Sequence, residues 1–130
     1  MSKVLIIDDE ALLRDSLSAY LEDDGHQVIS TAKAESALTK FPNFKPDIVV
    51  VDLRLEGASG EEFIKAASKI DPHCHYIIHT ACKDYHLPND LLALGMKDTQ
   101  VLFKPVRDLG CLSGLISHLI PQQAISSAGL

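Results

Sequence analysis

The chain has 130 residues, of which 46% are hydrophobic and 23% are charged, and its formal net charge is −6. This length suits one domain with a sizeable core. The basic residues are too scattered for a nucleic-acid-binding surface, and no apolar run is long enough to span a membrane or to resemble a signal peptide. We therefore expect a cytoplasmic protein that binds neither nucleic acid nor membrane directly.

Short runs of β-branched and aliphatic residues alternate with helical patterns five times along the chain. The predicted strands are, in chain order, Val4–Ile7, Gln27–Thr31, Ile48–Val51, Tyr76–Thr80 and Val101–Phe103. Apolar residues at helical spacing predict a helix after each strand, and glycine or proline marks where it ends. The predicted helical segments are Leu13–Leu21 before Gly25, Ala34–Lys40 before Pro42 and Pro46, Phe63–Ile70 before Pro72, Leu91–Leu94 before Gly95, and a fifth from an Asp108 cap to Ile120.

Strands that alternate with helices of this length predict a parallel sheet covered by helices on both faces. In such sheets, ligands bind beyond the carboxyl ends of the strands. The residues that follow the apolar runs therefore matter most, and they are Asp8 and Asp9, Asp52, Thr80, and Lys104 with Pro105. Four strand ends would bring three carboxylates, one hydroxyl and one ammonium to the same edge of the sheet.

This set of side chains is suited to phosphoryl transfer. Three neighbouring carboxylates repel one another unless a cation lies among them, and hard oxygen ligands favour Mg²⁺. One aspartate oxygen can then act as a nucleophile and form an aspartyl phosphate. Magnesium, the Lys104 ammonium and the Thr80 hydroxyl could each contact one oxygen of the transferring group.

Each residue of the set also has a simpler interpretation. The Asp8-Asp9 pair is typical of a helix N-terminus, Asp52 of a turn, Thr80 of an ordinary strand, and Lys104 of a surface turn. Their occurrence together, at the ends of the first, third, fourth and fifth strands, favours the functional interpretation.

The sequence resembles the receiver domain of bacterial response regulators over about residues 2–120. The matching residues are Val4–Glu10, Val51–Leu55 followed by Gly57 and Gly60, Thr80-Ala81, Gly95, and Lys104-Pro105. The resemblance implies an α/β, doubly wound, flavodoxin-like fold with five parallel strands in the order 2-1-3-4-5. It also implies a phosphorylation switch in two-component signalling rather than an enzyme that acts on other substrates.

The resemblance assigns a role to each site residue. Asp52 would be the phosphoacceptor. Asp9, Asp52 and the backbone carbonyl of Arg54 would bind Mg²⁺, with Asp8 acting mainly through water. Thr80 and Lys104 would contact the phosphoryl group, and the peptide bond after Lys104 would be cis.

The sequence departs from the family pattern at two informative positions. Glu56 stands where the family usually has proline after the phosphoacceptor. Val101 stands where many receivers carry the tyrosine or phenylalanine that moves inward with the threonine, and Phe103 lies on the same strand face as Val101. We therefore predict phosphorylation at Asp52, and the absence of an aromatic residue at Val101 puts output by the usual aromatic switch in question.

The resemblance also predicts partners and a domain boundary. The phosphoryl donor would be a phosphohistidine on a sensor histidine kinase or a histidine phosphotransfer protein. Residues 1–121 would form the receiver domain, and residues 122–130 a flexible tail or the start of a linker. A downstream output domain or protein partner could bind the face of the fourth and fifth helices. Leu115 and Cys111 lie outside the main apolar stripe of the fifth helix, which indicates either a partner surface or a wide buried stripe.

Three other functions fit the sequence less well. A magnesium-dependent phosphohydrolase would need a D-x-D motif on its first strand, and a mononucleotide-binding domain would need a glycine-rich first turn. A zinc site would have to be built from His73, His75, His79 and His86 with Cys74 and Cys82, whose spacing fits no structural zinc pattern.

Overall fold

A computed structural model of the chain describes residues 2–105 and 108–121. These residues contain five strands, β1 (Lys3–Ile7), β2 (Gln27–Thr31), β3 (Ile48–Asp52), β4 (His75–Thr80) and β5 (Val101–Phe103). All four neighbouring pairs are parallel, and the sheet order is β2-β1-β3-β4-β5. The predicted doubly wound sheet and its strand order are therefore confirmed. The predicted tail, residues 122–130, lies outside the described residues.

Five helices cover the two faces of the sheet. They are α1 (Ala11–Asp23), α2 (Ala34–Phe44), α3 (Gly60–Ile70), α4 (Asn89–Ala93) and α5 (Gly110–Leu119), and a 3-10 turn at Asp98–Gln100 precedes β5. The helices α2, α3 and α4 pack in one apolar cluster, which we call the α3-side core. The helices α1 and α5 pack in a second cluster on the opposite face. In the described part of the chain, no helix is long and apolar enough to cross a lipid bilayer.

The second helix is longer than predicted. We expected it to end at Lys40 because proline lacks the N–H that an interior helical position donates, yet the helix continues through Pro42 to Phe44. Phe41 is fully buried in the α3-side core and Phe44 packs against it, so the apolar burial outweighs the lost hydrogen bond. Lys45 then ends the helix in a left-handed conformation.

The fifth helix begins two residues after the predicted Asp108 cap, with Leu109 at the N-cap position and no side-chain cap. The Asp108 carboxylate accepts a hydrogen bond from the Gly110 N–H at 2.9 Å, although the helix begins only at Gly110. Leu115 is half-buried and packs against the core on the α1 side. The wide buried stripe thus accounts for Leu115, whereas Cys111 is exposed.

Candidate functional site

Three aspartates meet at the carboxyl edge of the sheet, as predicted. Asp8 and Asp9 follow β1, Asp52 ends β3, and one carboxylate oxygen from each lies within 4.8 Å of the others. Asp8 is 2% exposed and Asp52 is 9% exposed. In residues 2–105 and 108–121, this is the one group of three or more histidine, cysteine, aspartate or glutamate side chains that could hold a metal ion. Oxygen ligands at this spacing suit a hard divalent cation. Within the described part of the chain, no such group forms around the histidines and cysteines.

Lys104 reaches into this acidic cluster. Its Nζ lies 2.9 Å from Asp8 Oδ2 and 3.2 Å from Asp52 Oδ2, with Glu10 Oε1 at 3.8 Å. The backbone places it there because the Lys104 N–H donates to the Thr80 carbonyl oxygen at 2.7 Å and so extends the pairing of β4 with β5. The peptide bond to the next residue is cis, as the resemblance implied.

The charges of the cluster act on one another. Burial raises the pKa of the Asp52 carboxyl, the Lys104 ammonium opposes this rise, and the Asp8 carboxylate adds to it. Burial would lower the pKa of Lys104, but the hydrogen bond and charge of Asp8 and the charge of Asp52 outweigh it and raise that pKa. One ammonium therefore serves two buried carboxylates, and a further cation would relieve the remaining negative charge.

Asp8 also organises the turn into α1. Its Oδ1 accepts the Glu10 N–H at 2.9 Å, and its backbone oxygen accepts a hydrogen bond from Arg14 Nη1 at 2.7 Å. The simpler interpretation of Asp8 as a helix cap is wrong, because Glu10 is at the N-cap of α1 and no side chain caps the helix. The Asp8 carboxylate instead holds the turn before the helix and pairs with Lys104. Sequence reasoning missed Arg14, whose only signal is a basic residue in the first turn of a helix that begins at this edge.

Arg54 lies at the start of the loop that leaves the site. Its N–H donates to Asp52 Oδ1 at 3.3 Å, and its backbone forms an isolated antiparallel bridge with Ser59. The side chain is exposed. The loop therefore returns directly to the first turn of α3, which keeps the Arg54 backbone beside the Asp52 carboxylate.

Thr80 ends β4 and is buried, but its hydroxyl is engaged in a turn. Thr80 Oγ1 accepts a hydrogen bond from the Cys82 N–H at 3.1 Å, which is the usual pattern of a threonine turn. The structure thus brings Asp8, Asp9, Asp52 and Lys104 into one cluster, while the hydroxyl of Thr80 turns toward the following loop.

His79 is a buried titratable residue that the sequence reasoning did not assign to the site. It precedes Thr80 on β4, faces the α1 side of the sheet and is 3% exposed. Neither ring nitrogen has a hydrogen-bond partner among the described residues. Burial, followed by the charge of Lys104, lowers the pKa of His79 to about 4. Its position directly after the apolar pair Ile77-Ile78 in a predicted strand was the available signal.

The fold and this cluster define a flavodoxin-like domain with an acidic ligand site at the carboxyl edge of its sheet. The sequence matches the response regulator receiver domain over residues 4–112, and the chain belongs to that family. Receiver domains are the signalling switches of two-component systems and interact with histidine kinases.

Individual proteins of the family are similar over most of the chain. The chemotaxis protein CheY of Thermotoga maritima is 32% identical over 113 residues, which are 85% of this chain and 94% of that protein. The response regulator GacA of Pseudomonas syringae is 34% identical over 97 residues, which are 73% of this chain but 45% of that protein. The chain thus spans about half the length of the GacA proteins that it matches.

Solved receiver structures superpose closely. A response regulator receiver domain from Clostridium thermocellum has a TM-score of 0.80 and 30% identity, covering 96% of this chain and 98% of its own. The response regulator TrrA of Thermotoga maritima, in complex with Mg(2+)-BeF, has a TM-score of 0.78 and 26% identity, covering 92% of this chain and 100% of its own.

Proposed function

We propose that this domain is a switch that is turned on when Asp52 accepts a phosphoryl group from a phosphohistidine. The donor would be a sensor histidine kinase or a histidine phosphotransfer protein. The observation that carries the proposal is the position of Lys104 Nζ, which lies 2.9 Å from Asp8 and 3.2 Å from Asp52 at the open edge of the sheet. A cation held between two buried carboxylates is suited to receive a group that brings more negative charge.

The reaction is a transfer between two nucleophiles. An oxygen of the ionised Asp52 carboxylate attacks phosphorus, the P–N bond to the donor imidazole breaks, and the imidazole nitrogen keeps the electron pair. Lys104 then lies close enough to Asp52 to pair with an oxygen of the new acyl phosphate. The charge on the transferring oxygens is balanced by groups that are already in place, so little rearrangement is needed at the moment of transfer.

The ligand set fits Mg²⁺. Asp9, Asp52 and the Arg54 carbonyl would hold it directly, with Asp8 acting through water, and the bound ion would supply positive charge for the carboxylates and the phosphoryl oxygens. Support comes from the carboxylate oxygens that lie within 4.8 Å of one another. Further support is that TrrA, a similar receiver, binds Mg(2+)-BeF.

Thr80 would report the phosphoryl group to the rest of the domain. Its hydroxyl now accepts the Cys82 N–H, and we expect Oγ1 to turn from that bond when the hydroxyl donates to a phosphoryl oxygen. A partner would recognise the switched state at the face of α4 and α5. Support for a partner on that face is its exposed apolar surface, with Leu92 43%, Leu94 49% and Phe103 39% exposed.

Phosphorylation with acetyl phosphate tests the proposal. The wild-type protein is expected to gain the mass of one phosphoryl group in the presence of Mg²⁺ and none in the presence of a chelator. Asp52→Asn should abolish the gain. The control is Asp23→Asn, which removes an exposed carboxylate at the far end of α1 and should leave labelling unchanged. Labelling that survives Asp52→Asn, or that needs no divalent cation, would refute the proposal.

A further inference from the structure

A chain of hydrogen bonds connects Thr80 to the third helix. The Cys82 N–H donates to Thr80 Oγ1 at 3.1 Å, and the Tyr85 N–H donates to the Cys82 carbonyl oxygen at 3.2 Å. The Tyr85 phenol then donates to Glu61 Oε2 at 2.6 Å. The loop after β4 is thus fixed at one end by the threonine hydroxyl and at the other by a carboxylate of α3.

The helix end that carries Glu61 is rigidly attached to the phosphoacceptor strand. The Gly60 N–H donates to the Leu53 carbonyl oxygen at 2.8 Å. A Cβ at Gly60 would lie 2.3 Å from the Asp52 carbonyl oxygen, so only glycine permits this approach. Ser59 forms a complete capping box with Glu62, which holds the first turn in place. Glu61 therefore belongs to a fixed support beside Asp52.

The hydrogen bond between Tyr85 and Glu61 is of a strong kind. A phenol that donates to a carboxylate makes a charge-assisted bond, which is shorter and stronger than a bond between neutral groups. Tyr85 is half-buried and its ring packs against the α3-side core. Burial, followed by the hydrogen bond to Glu61, raises the pKa of the phenol, so it remains a donor at neutral pH.

Tyr85 is also well placed to act where the usual aromatic residue is missing. Val101 is buried in the α3-side core, so no aromatic ring can swing at that position. Tyr85 packs against the same core from the loop that begins at Thr80. A movement of Thr80 can therefore reach an aromatic side chain through the backbone of this loop, without any residue of β5.

We propose that Tyr85 and Glu61 are positioning residues that form a latch, which keeps the Thr80 hydroxyl bonded to the Cys82 N–H until the domain is phosphorylated. The inference rests on the proposed function of Asp52. When Thr80 Oγ1 turns to the phosphoryl group, the Cys82 N–H loses its acceptor and the turn to Tyr85 loosens. The phenol then leaves Glu61, and the loop ahead of α4 is released.

Linkage between the latch and the phosphoryl group makes the proposal measurable. In this proposal, the bond between Tyr85 and Glu61 and the binding of the phosphoryl group oppose each other. By linkage, each must weaken the other by the same factor. Removal of the latch should therefore strengthen the binding of a phosphoryl mimic, although neither Tyr85 nor Glu61 touches it. A residue that only stabilised the fold would not improve binding when it is removed.

The test is a titration with fluoroberyllate and Mg²⁺. Tyr85→Phe keeps the ring and removes the phenol oxygen, and it is expected to bind the mimic about fivefold more tightly than the wild type. Glu61→Gln keeps a neutral acceptor and should give a smaller gain. The matched control for the chemical change is Tyr20→Phe on α1, which should bind as the wild type does.

A second control distinguishes the latch from another contact that α3 makes with the region after β4. Lys65 on α3 and Asp90 on α4 form an ion pair at 2.6 Å, but both side chains are about half exposed. Asp90→Asn removes this exposed pair and leaves the chain from Thr80 to Glu61 intact. Its affinity for the mimic should remain that of the wild type, because exposed pairs contribute little.

Hydrogen exchange gives an independent readout of the loop. In the wild type, fluoroberyllate should speed exchange of the amides of Cys82 and Tyr85, whereas in Tyr85→Phe these amides should exchange fast already. In a Thr80→Ala background, Tyr85→Phe should bring no further gain in affinity, because the coupling runs through that hydroxyl.

The possible outcomes distinguish a failure of the latch from a failure of the phosphorylation site at Asp52. If the wild type binds no fluoroberyllate, the assignment of Asp52 fails and the latch fails with it. If the wild type binds the mimic and Tyr85→Phe binds it equally or more weakly, the site stands and the latch is wrong. An equal gain from Tyr85→Phe with and without the Thr80 hydroxyl would also overturn the latch.

Discussion

Mild acid should destabilise this domain through His79. The folded protein holds the imidazole neutral, because burial and the nearby Lys104 ammonium lower its pKa from 6.5 to about 4. In the unfolded chain the same ring has an ordinary pKa. As the pH falls from 6.5 toward 4, the unfolded state therefore binds a proton that the folded state does not, and the free energy of unfolding decreases.

The size of the effect follows from the two pKa values. Between neutral pH and about pH 5, proton linkage at this one group lowers the free energy of unfolding by about 2 kcal/mol. Most of the loss therefore occurs in a range where the ordinary aspartates and glutamates of the surface are still ionised. His79→Gln removes the titration and retains a side chain of similar length.

Urea unfolding of both proteins at the two pH values checks the prediction. The wild type should lose about 2 kcal/mol more than His79→Gln between neutral pH and about pH 5. The control is His86→Gln, which removes an exposed imidazole in the loop after β4 and should retain the wild-type slope. Equal pH dependence in the wild type and His79→Gln, or a His79 NMR titration in the folded protein with a midpoint near 6.5, would refute the reasoning.

Three further substitutions test the support of the site. Lys104→Met leaves the buried carboxylates without a cation. Urea unfolding in the presence of a chelator should therefore show a free energy of unfolding lower by about 3 kcal/mol, and titration should show that fluoroberyllate binding is lost. Gly60→Ala places a Cβ 2.3 Å from the Asp52 carbonyl oxygen and should cost about 2 kcal/mol in urea unfolding; an unchanged midpoint would mean that the backbone yields freely. Ser59→Ala removes the capping box and should cost about 1 kcal/mol in thermal unfolding, with no effect on phosphorylation by acetyl phosphate.

Local patterns were sufficient to predict the sheet and the cluster at its edge. The aliphatic and β-branched runs identified all five strands, most clearly β1 and β3, whose buried residues are almost entirely apolar. The carboxyl ends of parallel strands meet at one edge, so Asp8, Asp52 and Lys104 could be brought together without knowledge of the tertiary structure.

Packing decided the features that the sequence did not reveal. Pro42 predicts a helix end, but the helix continues, with Phe41 buried in the core and Phe44 packed against it. The bond between Tyr85 and Glu61 joins residues 24 apart in sequence, and nothing local to either residue indicates the other. Both cases depend on how α2, α3 and the loop after β4 lie against the sheet, which a one-dimensional pattern does not contain.

The charged residues of the acidic cluster also help to fix the register of the sheet. Ile7 pairs with Val51, Asp52 pairs with His79, and Thr80 pairs with Phe103, so Asp8 and Asp52 lie at neighbouring strand ends and Lys104 reaches them from β5, across the end of β4. In a sheet that is apolar on both faces, the pattern of hydrophobic residues alone specifies register weakly.

The charged residues at the strand ends specify the register that the apolar runs leave open. A shift of β3 by one residue into the sheet would carry the Asp52 carboxylate away from Lys104 and into the core, and an unpaired buried charge is far more costly than a lost apolar contact. The acidic cluster and its lysine therefore act as a stop for the strands. The predicted strand ends agree with the structure at Ile7, Thr80 and Phe103, whereas β3 extends one residue further, to Asp52 itself.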